Sequence, residues 1–288
     1  MIGFINVNKP QGISSAAVVG KIKHCFKLKK IGHMGTLDPL ACGVLPIAIG
    51  KATRMFDYFL NKQKTYVVEA EFGYETPSLD KGTDISNTTE IVPDYDEIVN
   101  GCKTFIGKIP QVPPIYSAKN INGEKAYALA RMGKEVNLKS VNVEIFDFKC
   151  IAKLTDIKYK FTITCSSGTY VRSLIRDLAY RLNSLATVTL LERTVTGVFN
   201  IDNSVTLEDL LNNNINNYLI PIEKVFSNYN IVNVDDKQAF KIKNGVSIEY
   251  SCPDNKNVFV KHRDDIIGVA TINDNILKLK TFLLEDKE

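Results

Sequence analysis

The chain has 288 residues, 44% of them hydrophobic and 24% charged, a balance that permits a core of normal size. No run of about 18 apolar residues occurs, and the opening MIGFINVNKPQG lacks a charged region followed by an apolar stretch. A membrane span and a signal peptide are therefore not expected, and the cytoplasm is the expected location. The net charge of +4 says little alone, but residues 1–60 hold eight cations against two anions. Such a local excess suits a phosphate backbone, and equally a solvated face with acids nearby in space.

In chain order, Gly3–Asn8 reads as a strand that ends in the turn Lys9-Pro10-Gln11-Gly12. Ser14 or Ser15 then caps a helix with Val18, Val19, Ile22 and Phe26 at helical spacing. A Gly-rich loop follows, then a short apolar strand over Val44–Ile49 and a helix over Ala52–Leu60. Lys64–Phe72 alternates, with Tyr66, Val68, Ala70 and Phe72 on one face of a half-buried strand. Residues 73–94 are polar and turn-rich, and 109–122 read as a loop. A strand pair follows within Phe148–Cys165, then an amphipathic helix over Tyr170–Leu182, and a further helix capped by Thr206.

Length alone predicts one large domain plus a small one. After about residue 222 short alternating runs recur between turns, with one helical piece at Asp236–Lys243 stopped by Asn244-Gly245. This texture predicts a small β-barrel or sandwich domain. The six cysteines form no C-x-x-C pair, and the three histidines are not at ligand spacing, so neither a metal site nor a cofactor is expected. The cysteines read as reduced structural thiols. No G-x-G-x-x-G or P-loop is present.

The segment Gly32-His33-Met34-Gly35-Thr36-Leu37-Asp38-Pro39-Leu40-Ala41-Cys42-Gly43 places one carboxylate among small and apolar residues, with no Lys or Arg between Lys30 and Lys51. On local pattern alone an Asp before Pro is a turn former more often than a catalyst. The wider context shifts that weighting. GHMGTLDPLACGVLP resembles the TruB family signature GH-x-GTLDP-x-A-x-GVLP, and further matches follow in the family's order and spacing. They are Lys9-Pro10-x-Gly12, Lys64-x-Tyr66, Pro113-Pro114-x-Tyr116-Ser117-Ala118, Gly168-Thr169-Tyr170-Val171-Arg172-Ser173 and Leu191-x-Arg193-Thr194. The C-terminal texture resembles, more weakly, the family's PUA-type RNA-binding domain.

The resemblance implies a tRNA pseudouridine synthase acting on the T-loop uridine, position 55, with Asp38 as its catalytic aspartate. Breaking the C1′–N1 bond builds oxocarbenium-like character that a carboxylate can stabilise or trap. Attack on C1′ and removal of the 2′ proton to give a glycal-like intermediate both fit. By the same resemblance Arg172 is the ion partner of Asp38, Tyr66 stacks on the flipped base, and Tyr170 and Leu191 line the uridine pocket. His33 is implied as a contact to the opened T-loop rather than a general base. Lys9 is expected to shape the active-site loop or touch RNA, a plain surface lysine being the alternative. Everting a packed uridine costs a few kcal/mol, which stacking worth about 1–3 kcal/mol per base can offset.

Four positions depart from the family pattern: Cys42 for the usual Thr, Thr76-Pro77-Ser78 for Thr-Asp-Thr, Asn120 for a common Lys, and Glu192 for a common Arg. Any role of an aspartate in the second of these does not carry over. Two other classes remain in view: a non-catalytic tRNA-binding protein, and a guide-RNA-dependent synthase of the dyskerin type. The insert at about 73–135, with Pro113–Ala118 and Ala126–Gly133, favours the stand-alone enzyme. The expected architecture is an α+β pseudouridine synthase fold over 1–221, its mixed, largely antiparallel central sheet flanked by helices, plus a small β-rich PUA-like domain over 222–288. The expected partner is the tRNA T-arm stem-loop, bound by a monomer without guide RNA or membrane.

Overall fold

The computed structural model describes residues 1–284 except 60–62, 118, 122 and 133–137. Leu60, Ala118 and Gly133, which entered the sequence reading, therefore lie outside the described residues, as does the Asn120 side chain. A ten-stranded sheet carries most of the chain. Along its main path the strands run Val205–Thr206, Gly3–Lys9, Cys42–Ile49, Ala186–Thr196, Lys64–Phe72, Lys158–Cys165, Val141–Lys153 and Gly107–Gln111. Two pairings are parallel, Gly3–Lys9 with Val205–Thr206 and Ala186–Thr196 with Cys42–Ile49. The others in this sheet are antiparallel, so the mixed, largely antiparallel sheet is as expected.

Local chemistry accounts for most elements. Ser14 caps Ser15–Cys25 by accepting from Ala17 N, and the helix buries Val18 and Ile22. Val171–Arg181 lays Leu174, Ile175 and Leu178 into the main core, where Tyr159, Phe161 and Ile163 face them from the sheet. Glycine is required at Gly43, where φ is +96° and a Cβ would run into the Arg193 backbone of the neighbouring parallel strand.

Several expectations need correction. Gly107–Gln111 is a strand, not a loop; it occupies the sheet edge, where Pro110 can be tolerated. Tyr95–Lys103, unassigned in the sequence, is a helix that follows directly on the turn-rich stretch, opened by a reciprocal capping box between Asp94 and Glu97. The helix expected over Ala52–Leu60 begins instead as a 3-10 turn over Gly50–Met55, tightened by Thr53 Oγ1 donating to Gly50 O, with one α-turn at Phe56–Phe59.

The later residues form one five-stranded sheet rather than a two-sheet sandwich, with strands in the order Asn230–Asn233, Asn255–His262, Asp265–Asn273, Ile276–Phe282 and Ile248–Glu249. Helix Asp236–Lys243, capped by Asp235, contributes Ala239 and Ile242 to the core of this sheet. An aromatic seam joins the two sheets. Phe226 meets Phe59 at 5.3 Å and Phe4 at 6.1 Å between centroids, and Phe259 at 6.4 Å on the other side. Among the described residues no helix is long and apolar enough to cross a membrane.

Candidate active site

Asp38 lies in the loop between Ile31–His33 and Cys42–Ile49, and the rest of the protein fixes that loop one carbonyl at a time. The buried hydroxyl of Ser15 accepts from Leu37 N and donates to Leu37 O, both at 2.9 Å. Gly12 N and Gln11 Nε2 donate to Pro39 O and Leu40 O at 2.8 and 2.9 Å. From the other side Arg193, fully buried, donates to Gly35 O, Thr36 O and Val44 O. The carboxylate itself stays about one-third exposed, its Oδ2 2.7 Å from Arg172 Nη2.

Arg172 is almost entirely buried in the first turn of Val171–Arg181. Its second nitrogen reaches Asp80 Oδ2 at 3.1 Å, and the remaining donors satisfy Ser78 O and Tyr116 O at 2.6 and 2.9 Å. Asp80 was missed in the sequence. Its Oδ1 accepts from Ser78 Oγ and Gly82 N, so the turn after the tyrosine strand folds around it. Pro77 stands where the pattern has an aspartate, and three residues further on Asp80 supplies a carboxylate already paired with Arg172. Gln111 was missed as well; its amide bonds Tyr170 N at 2.8 Å and Tyr170 O at 3.1 Å, which sets the entry to the Arg172 helix.

A pocket of about 280 Å³ opens beside Asp38, and Tyr66, Tyr170, Arg172 and Leu191 all line it, together with Lys64 and Lys119. A second hollow of about 370 Å³ is lined by Gln11, Leu40 and Lys81 and shares Asp38, Arg172 and Leu191 with the first, so the carboxylate borders both. Tyr66 lies directly opposite Arg193 in the strand register, close enough for the guanidinium to act on the phenol. Burial pushes the Tyr66 phenol up to about 12.

Two expected contact residues stand apart from this pocket. His33, on the short strand paired with Cys42–Ile49, is partly buried with an unpartnered Nδ1. Burial first, and Arg193 second, lower its pKa below the ordinary value, which keeps the ring neutral at pH 7. Lys9 has no exposed surface, so it is not a surface lysine, and direct contact with RNA is corrected to a structural role. Its Nζ donates to Ile13 O at 2.6 Å, Pro10 O at 2.9 Å and Pro39 O at 3.3 Å. Here it clamps the turn behind Asp38.

Burial lowers the Lys9 pKa to about 8. Between about pH 8 and its ordinary 10.5 the unfolded chain holds a proton that the folded chain has released, so this group's contribution to stability rises with pH there. Lys9→Met leaves three carbonyls without their donor and is expected to cost about 1–3 kcal/mol at pH 7. The gap to wild type should widen by pH 9.5, as urea unfolding at the two pH values will reveal. A gap that narrows would refute the sign.

With the geometry in place, residues 23–171 match the family model described as TruB family pseudouridylate synthase (N terminal domain). A tRNA pseudouridine synthase B of Clostridium novyi is 39% identical over 291 residues, spanning 99% of this chain and 100% of that protein. The chain belongs to the TruB family. Another relative, the tRNA pseudouridine synthase B of Clostridium kluyveri, is 41% identical over 250 residues, covering 86% of each chain. Among solved structures, an H/ACA RNP bound to a substrate RNA containing 2′-deoxyuridine matches with a TM-score of 0.74 over 98% of this chain and 85% of that one. At 21% identity that likeness shows the pseudouridine synthase fold alone. Asp38, Tyr66, Tyr170 and Arg172 of this TruB chain thus meet at one pocket, although they are spread over 135 positions of sequence.

Proposed function

We propose that this protein converts the T-loop uridine at position 55 of tRNA to pseudouridine, with Asp38 as the catalytic carboxylate. The observation that carries this reading is the Asp38–Arg172 contact at 2.7 Å on the wall of a pocket lined by Tyr66, Tyr170 and Leu191. A partly exposed carboxylate beside an aromatic-walled cavity can approach the sugar of an everted nucleotide while Tyr66 stacks on its base. Asp38 then either bonds to C1′ as the electron pair of the C1′–N1 bond leaves with uracil, or removes the 2′ proton. The base turns, and C5 joins C1′ either by displacing the Asp38 carboxylate or, on the glycal route, as Asp38 returns the proton to C2′; the C5 proton then departs and N1 is protonated.

His33, neutral at pH 7, is assigned to the opened T-loop as a hydrogen-bonding contact. Residues 222–288 are assigned to RNA binding as a PUA-like module, with 1–221 as the catalytic domain and about 73–135 as its insert. The enzyme acts on tRNA as a monomer in the cytoplasm, without a guide RNA. The relatives named tRNA pseudouridine synthase B support that assignment over the guide-dependent one.

The test is direct. Purified protein incubated with a bare T-arm stem-loop should yield pseudouridine at one uridine, mapped by chemical modification and primer extension. If the wild type binds this RNA and never modifies it, the protein is a tRNA-binding factor. Modification seen only with an added guide RNA would make it a dyskerin-type enzyme.

A further inference from the structure

Lys64, on the pocket wall, and the fully buried Arg193 bring two cations close together. Lys64 Nζ and Arg193 Nη1 come within 3.8 and 3.6 Å of the point where a Cβ on Gly35 would stand. Among the described residues neither forms an ion pair, whereas Arg172 has two carboxylates to itself. Strand geometry fixes where the Lys64 charge sits. Lys64 and Tyr66 are two residues apart on one strand, so they share a face about 7 Å apart. Across the ladder Cys165 stands opposite Lys64, and Arg193 opposite Tyr66. Both Lys64 and Tyr66 line the pocket that Asp38 overlooks. Paired cations at a largely buried site are mutually repulsive, and the repulsion is relieved when an anion arrives.

We propose that Lys64 is a catalytic residue that stabilises the negative charge gathering on uracil as its bond to C1′ breaks. The proposal rests on the pseudouridine synthase reading above. Heterolysis of C1′–N1 sends the electron pair into the base, over N1, O2 and O4, and leaves C1′ electron-poor. Asp38 serves the positive end of that separation. Nothing in the Asp38–Arg172–Asp80 set serves the negative end, since Arg172 is already matched by two acids. An ammonium on the Tyr66 side of the pocket lies against the base rather than the sugar. Its charge is needed only while the base is detached: once C5 bonds to C1′, loss of the C5 proton and protonation of N1 restore a neutral ring.

Burial, reinforced by Arg193, lowers the Lys64 pKa to about 8. The ammonium is therefore lost above about pH 8, and with it the stabilisation. Of the other groups facing Lys64, the Cys165 thiol is raised to about 11 and the Tyr66 phenol to about 12, both above that window. Asp38 and Lys119 complete the pocket's charged lining alongside Arg172. Lys9 also lies near 8 but is unchanged in any Lys64 variant, so a limb owed to Lys9 would persist.

The experiment measures single-turnover pseudouridine formation and equilibrium binding of T-arm RNA separately, for wild type, Lys64→Met and Lys64→Arg. The expected result is a rate about 10²-fold lower in Lys64→Met with Kd within about twofold, and recovery of most of the rate in Lys64→Arg. At subsaturating RNA the wild-type rate should fall above about pH 8, and this limb should move to higher pH in Lys64→Arg. Lys64→Gln takes the place of Lys64→Met if the latter does not fold. An unchanged rate with weakened binding, and a salt slope reduced by about one, would make Lys64 a phosphate contact and overturn the proposal. A wild type that forms no pseudouridine sinks the parent reading instead.

Discussion

Asp38→Asn is expected to lower pseudouridine formation in T-arm RNA by about 10⁴-fold or more, with RNA affinity held within about threefold. The amide is nearly the same size and keeps one oxygen toward Arg172, so the loop held by Ser15, Gly12 and Arg193 has no reason to move. What disappears is the negative charge that either route requires. Stopped-flow binding with a fluorescent T-arm RNA, run beside a modification assay, separates the two quantities. Should Asp38→Asn turn over at the wild-type rate, the carboxylate is a turn former and another group performs the chemistry.

Arg172→Met should be the most damaging change to stability near the site. It strips the cation from Asp38 and Asp80 and the donors from Ser78 O and Tyr116 O in one step. Removing one partner of a buried ion pair costs about 3–5 kcal/mol; the partial exposure of Asp38 points to the lower end, about 3 kcal/mol. Activity should fall with it, because Asp38 loses the contact that aims it. Adding Asp80→Asn to Arg172→Met should return part of the stability and none of the activity, since it removes the more buried unpaired acid only. Urea unfolding of the single and double variants measures this coupling. Additive losses would show that Asp80 and Arg172 do not act as a pair.

The residues whose meaning was legible in the sequence are those that act through a local pattern. The alternation of Lys64–Phe72, the caps at Ser14 and Thr206, and the stop at Asn244-Gly245 are all satisfied within a few residues. The Asp38 loop was legible only through family resemblance, since by local chemistry it is a turn. Asp80, Gln111 and Lys64 went unassigned because their significance lies in partners 92, 59 and 129 positions away, on other strands or a helix. Lys9 misleads for a related reason. A lysine at a Pro-Gly turn ordinarily faces water, and only the return of the Pro39 segment over it closes off that route. The Gly107–Gln111 strand was hidden by Pro110, whose presence argues against a ladder until the strand is known to be the outermost.

The restraint on the Asp38 loop bears on how substrates are told apart. With Leu37, Pro39 and Leu40 carbonyls and the Gly35–Thr36 backbone each tied down, the loop is held before any ligand arrives, and on the proposed reading the loss of conformational freedom around Asp38 is settled during folding. The deformation then falls to the incoming nucleic acid. Selectivity on such an anvil belongs to whichever folded hairpin surrenders its nucleotide with the least work.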